Sequence, residues 1–239
     1  MTVSPARILP RIAHMGLRIR YAAGMDEDRT RASYDHVART YAAQGMDDLA
    51  AKPFDRDILI EIARRVGPGG TVLDLGCGPG RVTRFLHDQD LDVTGIDLSP
   101  EMIAAARTRF PELRFEVASM FALPYPDGSI NGLVAMYSII HILRADQPAL
   151  FCELRRVLAP GGWLLLAYHL GAQDRHVGEW VGEPVDMEFL VFAPGEIETH
   201  LVDAGFTNLE PNERDAYPEH EFPLPRNYLL AQRPLTTDP

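Results

Sequence analysis

The chain is predicted to be an α/β protein: a doubly wound, mostly parallel seven-stranded sheet closed by an antiparallel strand pair, with helices N-terminal to it. Three observations predict this. Short apolar runs alternate with helical patterns from Thr71 to His169, the signature of βαβ units and a parallel sheet. The first run enters the turn Gly76-Cys77-Gly78-Pro79-Gly80, and the second ends on Asp97. Near the C-terminus two apolar runs follow one another with only loop between them, so they must pair antiparallel.

The elements follow in order. From Asp26 to about Val66 the pattern is helical: Tyr34, Val37, Ala38 and Tyr41 share one stripe, which Gly45 is expected to end. Ile58, Leu59, Ile62 and Val66 form a second stripe, stopped by Gly67-Pro68-Gly69-Gly70. Thr71–Leu75 is a buried strand, Arg81–Asp88 a helix and Asp92–Ile96 a strand. Ser99 then starts a helix as N-cap, with Pro100 at its first position. Leu113–Ala118 and Gly132–Ser138 are the third and fourth strands. The helix at Gln147–Leu158 carries Leu150, Leu154, Val157 and Leu158 on one face. Pro160-Gly161-Gly162 is expected to separate it from a fifth strand, Trp163–His169. A helix over Pro194–Ala204 ends at Gly205, and Thr207–Glu210 and Asn227–Arg233 are the closing strands.

Composition narrows the classes of function. The 239 residues suffice for one large α/β domain and are too few for two. A hydrophobic fraction of 46% with 24% charged residues is ordinary for a packed globular chain. The formal charge of −11 disfavours a phosphate backbone as main substrate. Two cysteines, Cys77 and Cys152, give neither a disulfide framework nor a metal-ligand pattern and are read as small hydrophobes. No apolar run reaches the roughly 18–20 residues of a membrane span. Arg7, Arg11, Arg18 and Arg20 stand in a first stretch without acids, but no apolar h-region follows. Residues 1–25 are therefore expected to be an N-terminal extension and the protein cytoplasmic.

The strongest chemical signal is Val72-Leu73-Asp74-Leu75-Gly76-Cys77-Gly78-Pro79-Gly80. A strand delivers the chain to a turn whose glycines let backbone approach a ligand closely. A dinucleotide fold would prefer G-x-G-x-x-G, so the spacing here disfavours a nicotinamide-dependent oxidoreductase. Asp97 stands where the second strand opens onto the ligand crevice, and a carboxylate there can accept hydrogen bonds from two ribose hydroxyls.

From Tyr34 to about Phe206 the sequence resembles the class I S-adenosylmethionine-dependent methyltransferases, particularly the small bacterial enzymes called methyltransferase type 11 or 25. The resemblance rests on VLDLGCGPG, VTGIDLSPEMI, LPYPDGSINGLV, LRRVLAPGGWLLLA and DAGF. It implies a Rossmann-like methyltransferase fold, S-adenosyl-L-methionine as cofactor and S-adenosyl-L-homocysteine as product. It further implies that Gly76, Gly78 and nearby backbone hold the methionine end, that Asp97 holds the ribose, and that Leu98 and Met102 flank the adenine. Asp74, Cys77, Met136 and Tyr137 complete the expected cofactor contacts. The family often has an acid after strand three for the adenine amino group. Here that place is Ser119, followed by Met120, and a serine accepts without charge assistance. Asn131 likewise stands where an Asp is common.

The stretch 135–141 lacks the Asn/Asp-Pro-Pro-Tyr box of enzymes acting on nucleobase or protein amide nitrogen. His141 is either a base that takes a proton from the acceptor or a capping, packed histidine. His169, at the end of strand five, is the second catalytic candidate. Tyr34 and Tyr41 are either a lid over the positive sulfonium or core. The expected layout is a single methyltransferase domain over 26–239. Within it, 26–66 is a helical lid region, 71–169 the cofactor-binding core, 171–192 a cap on the acceptor site, and 194–233 the closing helix and strands. Trp180, Phe189 and Phe192 lie in the cap. The expected function is methyl transfer to an oxygen or nitrogen of a small-molecule acceptor, without metal, nucleic acid or membrane span, as monomer or homodimer. The alternative is a protein that binds S-adenosylmethionine without transferring methyl, cyclase-like or regulatory.

Overall fold

The computed structural model describes residues 24–44, 49–218 and 221–235. Gly45 and residues 1–23, with the four arginines of the expected extension, lie outside the described residues. Helices α1 (Gly24–Gln44) and α2 (Pro53–Val66) precede β1 (Thr71–Leu75), α3 (Arg81–His87), β2 (Asp92–Asp97), α4 (Pro100–Arg109), β3 (Arg114–Val117) and β4 (Ile130–Met136). Then come α5 (Gln147–Val157), β5 (Leu158–His169), β6 (Arg175–Trp180), β7 (Glu183–Phe189), α6 (Glu196–Asp203), β8 (Thr207–Arg214) and β9 (Arg226–Gln232).

The seven-stranded sheet has the order β3-β2-β1-β4-β5-β9-β8. Strands β1 to β5 run parallel, and β9 pairs antiparallel with both β5 and β8, as the loop-only connection required. Alternate residues of the central strands face opposite layers. Leu73, Leu133 and Leu164 pack with Leu150, Leu154 and Val157 of α5 and with Ile197 and Leu201 of α6. Val72, Val134 and Leu165 pack with Ile58, Leu59 and Ile62 of α2 and with Leu86 of α3. Burial on both faces explains why these strands read as continuous apolar runs. The N-cap reading holds: Ser99 Oγ accepts from Met102 N at 3.0 Å, and Pro100 opens α4.

Two expectations need correction. Pro160-Gly161-Gly162 does not separate α5 from β5. The helix stops at Val157, and the strand begins at Leu158 with the three residues inside it. The pairing with β4 shifts register there, between Ile130 and Gly132, which accommodates them as an irregularity. The segment 171–192 contains a hairpin, β6–β7, that the chain's patterning did not bring out. Val181 and Gly182, both at positive φ, form its two-residue turn.

No helix of the described residues is long and apolar enough to cross a membrane.

Candidate active site

The strand order reverses between β1 and β4, and a crevice opens at the carboxyl ends of these strands. A cavity of about 270 Å³ occupies that edge. It is lined by Tyr34, Asp74, Gly76, Cys77, Gly78, Asp97, Leu98, Met102, Met120, Met136, Tyr137, His141 and His169, thirteen of the residues singled out from sequence. Of the expected cofactor-contact and catalytic residues, Ser119 alone is not in the lining.

The glycine loop is built around Asp97. Gly78 N donates to its Oδ2 and Ser99 N to its Oδ1, both at 2.8 Å. Gly76 N and Cys77 N both donate to Ile96 O, so the turn is bolted to the end of β2. Gly76 has φ +73, and a Cβ there would stand 2.4 Å from Ser138 Cβ, so no other residue fits. Burial pushes the Asp97 carboxyl up to about 6, a rise the two backbone N–H groups only partly oppose and Asp35 adds to. Asp74 is buried in β1 and accepts from Thr83 Oγ1 at 2.6 Å. Burial raises the Cys77 thiol, which packs with Ile103, Ala106 and Phe115.

Helix α1 closes this end. Its Asp35 accepts from Ser99 Oγ at 2.6 Å and from Glu101 N at 3.2 Å, which ties it to the start of α4. Ser33 Oγ both donates to Asp186 O and accepts from Asp186 N, each at 3.1 Å, which ties it to β7. Glu27, also on α1, lines the cavity and accepts from Ser119 Oγ at 2.5 Å. A carboxylate therefore stands beside Ser119 after all. It comes from a residue far away in sequence, which local motif reading had no means to find.

His141 sits on a 3₁₀ turn (Ile139–His141) after β4. Its Nε2 is 2.8 Å from Tyr34 Oη, and its Nδ1 is 3.1 Å from Glu188 O. A carbonyl oxygen can only accept, so the proton is on Nδ1 and Nε2 accepts from the tyrosine hydroxyl. The imidazole thus links α1 to β7. Tyr34, His141, Phe189 and Trp180 form a row of edge-to-face rings with centroids 5.1–5.3 Å apart. Burial raises Tyr34 well above the usual tyrosine range, so its hydroxyl stays protonated.

His169 ends β5 and is 9% exposed. Its ring lies 5.2 Å from that of Tyr137, tilted by 30°. Burial, reinforced by the Arg226 guanidinium, lowers its pKa to about 4. Tyr137 has φ +57, a strained backbone at the cavity edge, and its hydroxyl lies 2.6 Å from that of Tyr228. Tyr228 donates to Asp55 Oδ1 at 2.6 Å, and Arg214 bridges Asp55 and Glu221. Lys52, Asp55, Glu221 and Arg226 line this end of the cavity and were not anticipated. They come from α2, two loops and the start of β9, with no common motif. Among the described residues no group of three or more His, Cys, Asp or Glu could hold a metal ion.

Residues 72–162 match the family described as methyltransferase domain. A trans-aconitate 2-methyltransferase of Sinorhizobium medicae is 39% identical over 112 residues, 46% of this chain and 41% of that protein. The chain spans about half the length or less of the curated relatives it matches first. Among solved structures, the 1,6-didemethyltoxoflavin-N1-methyltransferase of Burkholderia thailandensis, with 1,6-didemethyltoxoflavin and S-adenosylhomocysteine bound, superposes with a TM-score of 0.70. The identity is 20%, covering 89% of this chain and 91% of that one. The [4+2]-cyclase SpnF superposes with a TM-score of 0.65 at 19% identity, covering 88% and 97%. The match to a methyltransferase domain spans β1 to the glycines of β5, and the fold is the one these solved structures share.

Proposed function

We propose that the protein transfers a methyl group from S-adenosylmethionine to an oxygen or nitrogen of a small acceptor. The observation that carries this reading is one cavity with two ends: a glycine loop held on Asp97 at one, and partly unengaged polar side chains around His169 at the other. The residues present fit the cofactor. Gly78 has φ +51 and nothing within 4 Å of where a Cβ would stand, which leaves backbone open to a ligand. Asp97 keeps lone pairs for ribose hydroxyls, Leu98 and Met102 offer apolar flanks, and Glu27 offers the adenine amino group the carboxylate that Ser119 lacks.

Bound there, the cofactor supplies a methyl group on a sulfonium, which carries its own leaving group. The chain's contribution is then to orient the acceptor and exclude water. Helix α1 and the β6–β7 hairpin act as lid and cap, joined through His141. With both ring nitrogens engaged, His141 serves as the pin between them, and it becomes a base only where Tyr34 withdraws.

Calorimetry tests the reading. S-adenosylmethionine and S-adenosylhomocysteine should each bind 1:1, NADH should give no heat, and Asp97→Ala should weaken binding by about 1.5–3 kcal/mol. No heat with either sulfur ligand would overturn the proposal. Release of S-adenosylhomocysteine on incubation with a metabolite extract separates transfer from binding alone.

A further inference from the structure

We propose that the His169 end of the cavity is a docking site for a carboxylate, held by His169 and Arg226, so that the acceptor is an organic acid. This rests on the methyl-transfer reading for its purpose, but not for its geometry. His169 ends β5 and Arg226 begins β9, and the two are direct partners in the antiparallel register. Both side chains line the cavity and both are buried, at 9% and 3% exposure. Tyr137 spans them: its ring lies 5.2 Å from the imidazole, tilted by 30°, and the Arg226 guanidinium lies 5.8 Å from its centroid.

Donor and acceptor accounting leaves this corner one partner short. His169 Nδ1 and Arg226 Nε have no hydrogen-bond partner among the described residues. Arg226 Nη1 is satisfied by the carbonyls of Phe222 and Leu224. The neighbouring carboxylates are already engaged. Glu221 takes both Nη groups of Arg214 and the Tyr217 N–H, and it meets Arg226 Nε only at ion-pair distance, 3.4 Å. Asp55 takes Arg214 and the Tyr228 hydroxyl. Arg226 Nε can only donate, and the imidazole donates from whichever ring nitrogen carries its proton, so an acceptor suits both side chains.

Charge selects among acceptors. Of the main charges acting on His169, Arg226, Lys52 and Arg175 disfavour its protonation and Glu221 favours it. Burial, reinforced by these cations, keeps the imidazole neutral at physiological pH, where it is too weak a base to take a proton from an alcohol or an ammonium. It remains a good hydrogen-bond donor to an anion. Met136, Ile140 and Phe189 make the adjoining wall apolar, which suits a singly charged planar group on an apolar body better than a hydrated dianion. An acid held this way arrives with its oxygen already ionised, so no protein base is needed.

The test uses three probes of one shape and different charge, benzoate, benzamide and benzylamine. Each is titrated by calorimetry into the full chain with and without S-adenosylhomocysteine. Benzoate should bind at least about tenfold tighter than the other two, the scale of a charge-assisted hydrogen bond. His169→Gln and Arg226→Gln should each cut the benzoate-to-benzamide ratio by about fivefold or more. A ratio is read because Arg226→Gln also frees two carbonyls and lowers all binding together, and His169→Gln gives the same readout without that loss. Equal binding of benzoate and benzamide, or a ratio kept in His169→Gln, would overturn the proposal. Failure of S-adenosylhomocysteine to bind would count against the cofactor reading alone, since the probe ratio in the free protein still decides this one.

Discussion

The buried imidazole of His169 gives the chain a particular response to acid. Unfolded, a histidine takes up its proton near 6.5; in the fold, burial and Arg226 delay this to about 4. Between those values the unfolded chain binds more protons, so stability falls as pH drops from about 6.5 toward 4, by up to about 1.4 kcal/mol per unit. Asp97 acts with the opposite sign. Its carboxyl titrates near 6 instead of 3.8, so the fold gains relative stability as pH falls through that window. Urea denaturation at pH 7 and pH 5 of the wild type and His169→Gln isolates the imidazole, because Asp97 is common to both. The wild type should lose more stability than the variant, and equal losses would mean that the ring is not held neutral. At this scale the sequence is legible where function is local. Asp97 and the glycines announce themselves because a strand, a tight turn and an acid follow within one stretch. Arg226 and Glu27 do not, since what makes each of them matter is a neighbour brought by pairing or packing from a distant part of the chain.

Secondary-structure elements show a similar division. Periodicity located the central strands and α4 because burial on both faces and a serine cap leave direct marks in the residues. The β6–β7 hairpin went unread even though Val185, Met187 and Phe189 alternate with polar residues, the pattern of a half-buried strand. Its turn contains Val181 at φ +53, where Asn or Gly is usual, so Gly182 is the one residue of the turn that marks a hairpin. The partner that stabilises it is α1, which contributes Ser33 and Tyr34. Tyr34→Phe removes the bond from the tyrosine hydroxyl to His141 Nε2 and keeps the ring packing. We expect a loss of about 1 kcal/mol in urea denaturation, together with faster dissociation of S-adenosylhomocysteine in stopped-flow. An unchanged dissociation rate would mean that the Tyr34–His141 bond does not hold the lid.

The whole molecule divides into a sheet that is packed on both faces and an edge that is closed by two elements from outside it. The sheet holds its register through apolar side chains on both layers, and nothing in that packing depends on a ligand. The closing elements rest on a small cluster, Val37, Ala38 and Met102 with Trp180 and Val185 around it, plus the bonds from Asp35, Ser33 and Tyr34. Little apolar area and few bonds make α1 and the hairpin the low-stability part of the fold. Amide hydrogen exchange with and without S-adenosylhomocysteine tests this division. Ligand should slow exchange most in α1 and in β6–β7, since opening there releases what they cover. Exchange in β4 and β5 should slow only by the global gain in stability that ligand binding brings. Protection confined to the glycine loop, with α1 and the hairpin exchanging as before, would mean that these elements do not open for the ligand. The cavity would then be a preformed cleft, and His141 would be a fixed strut in its wall.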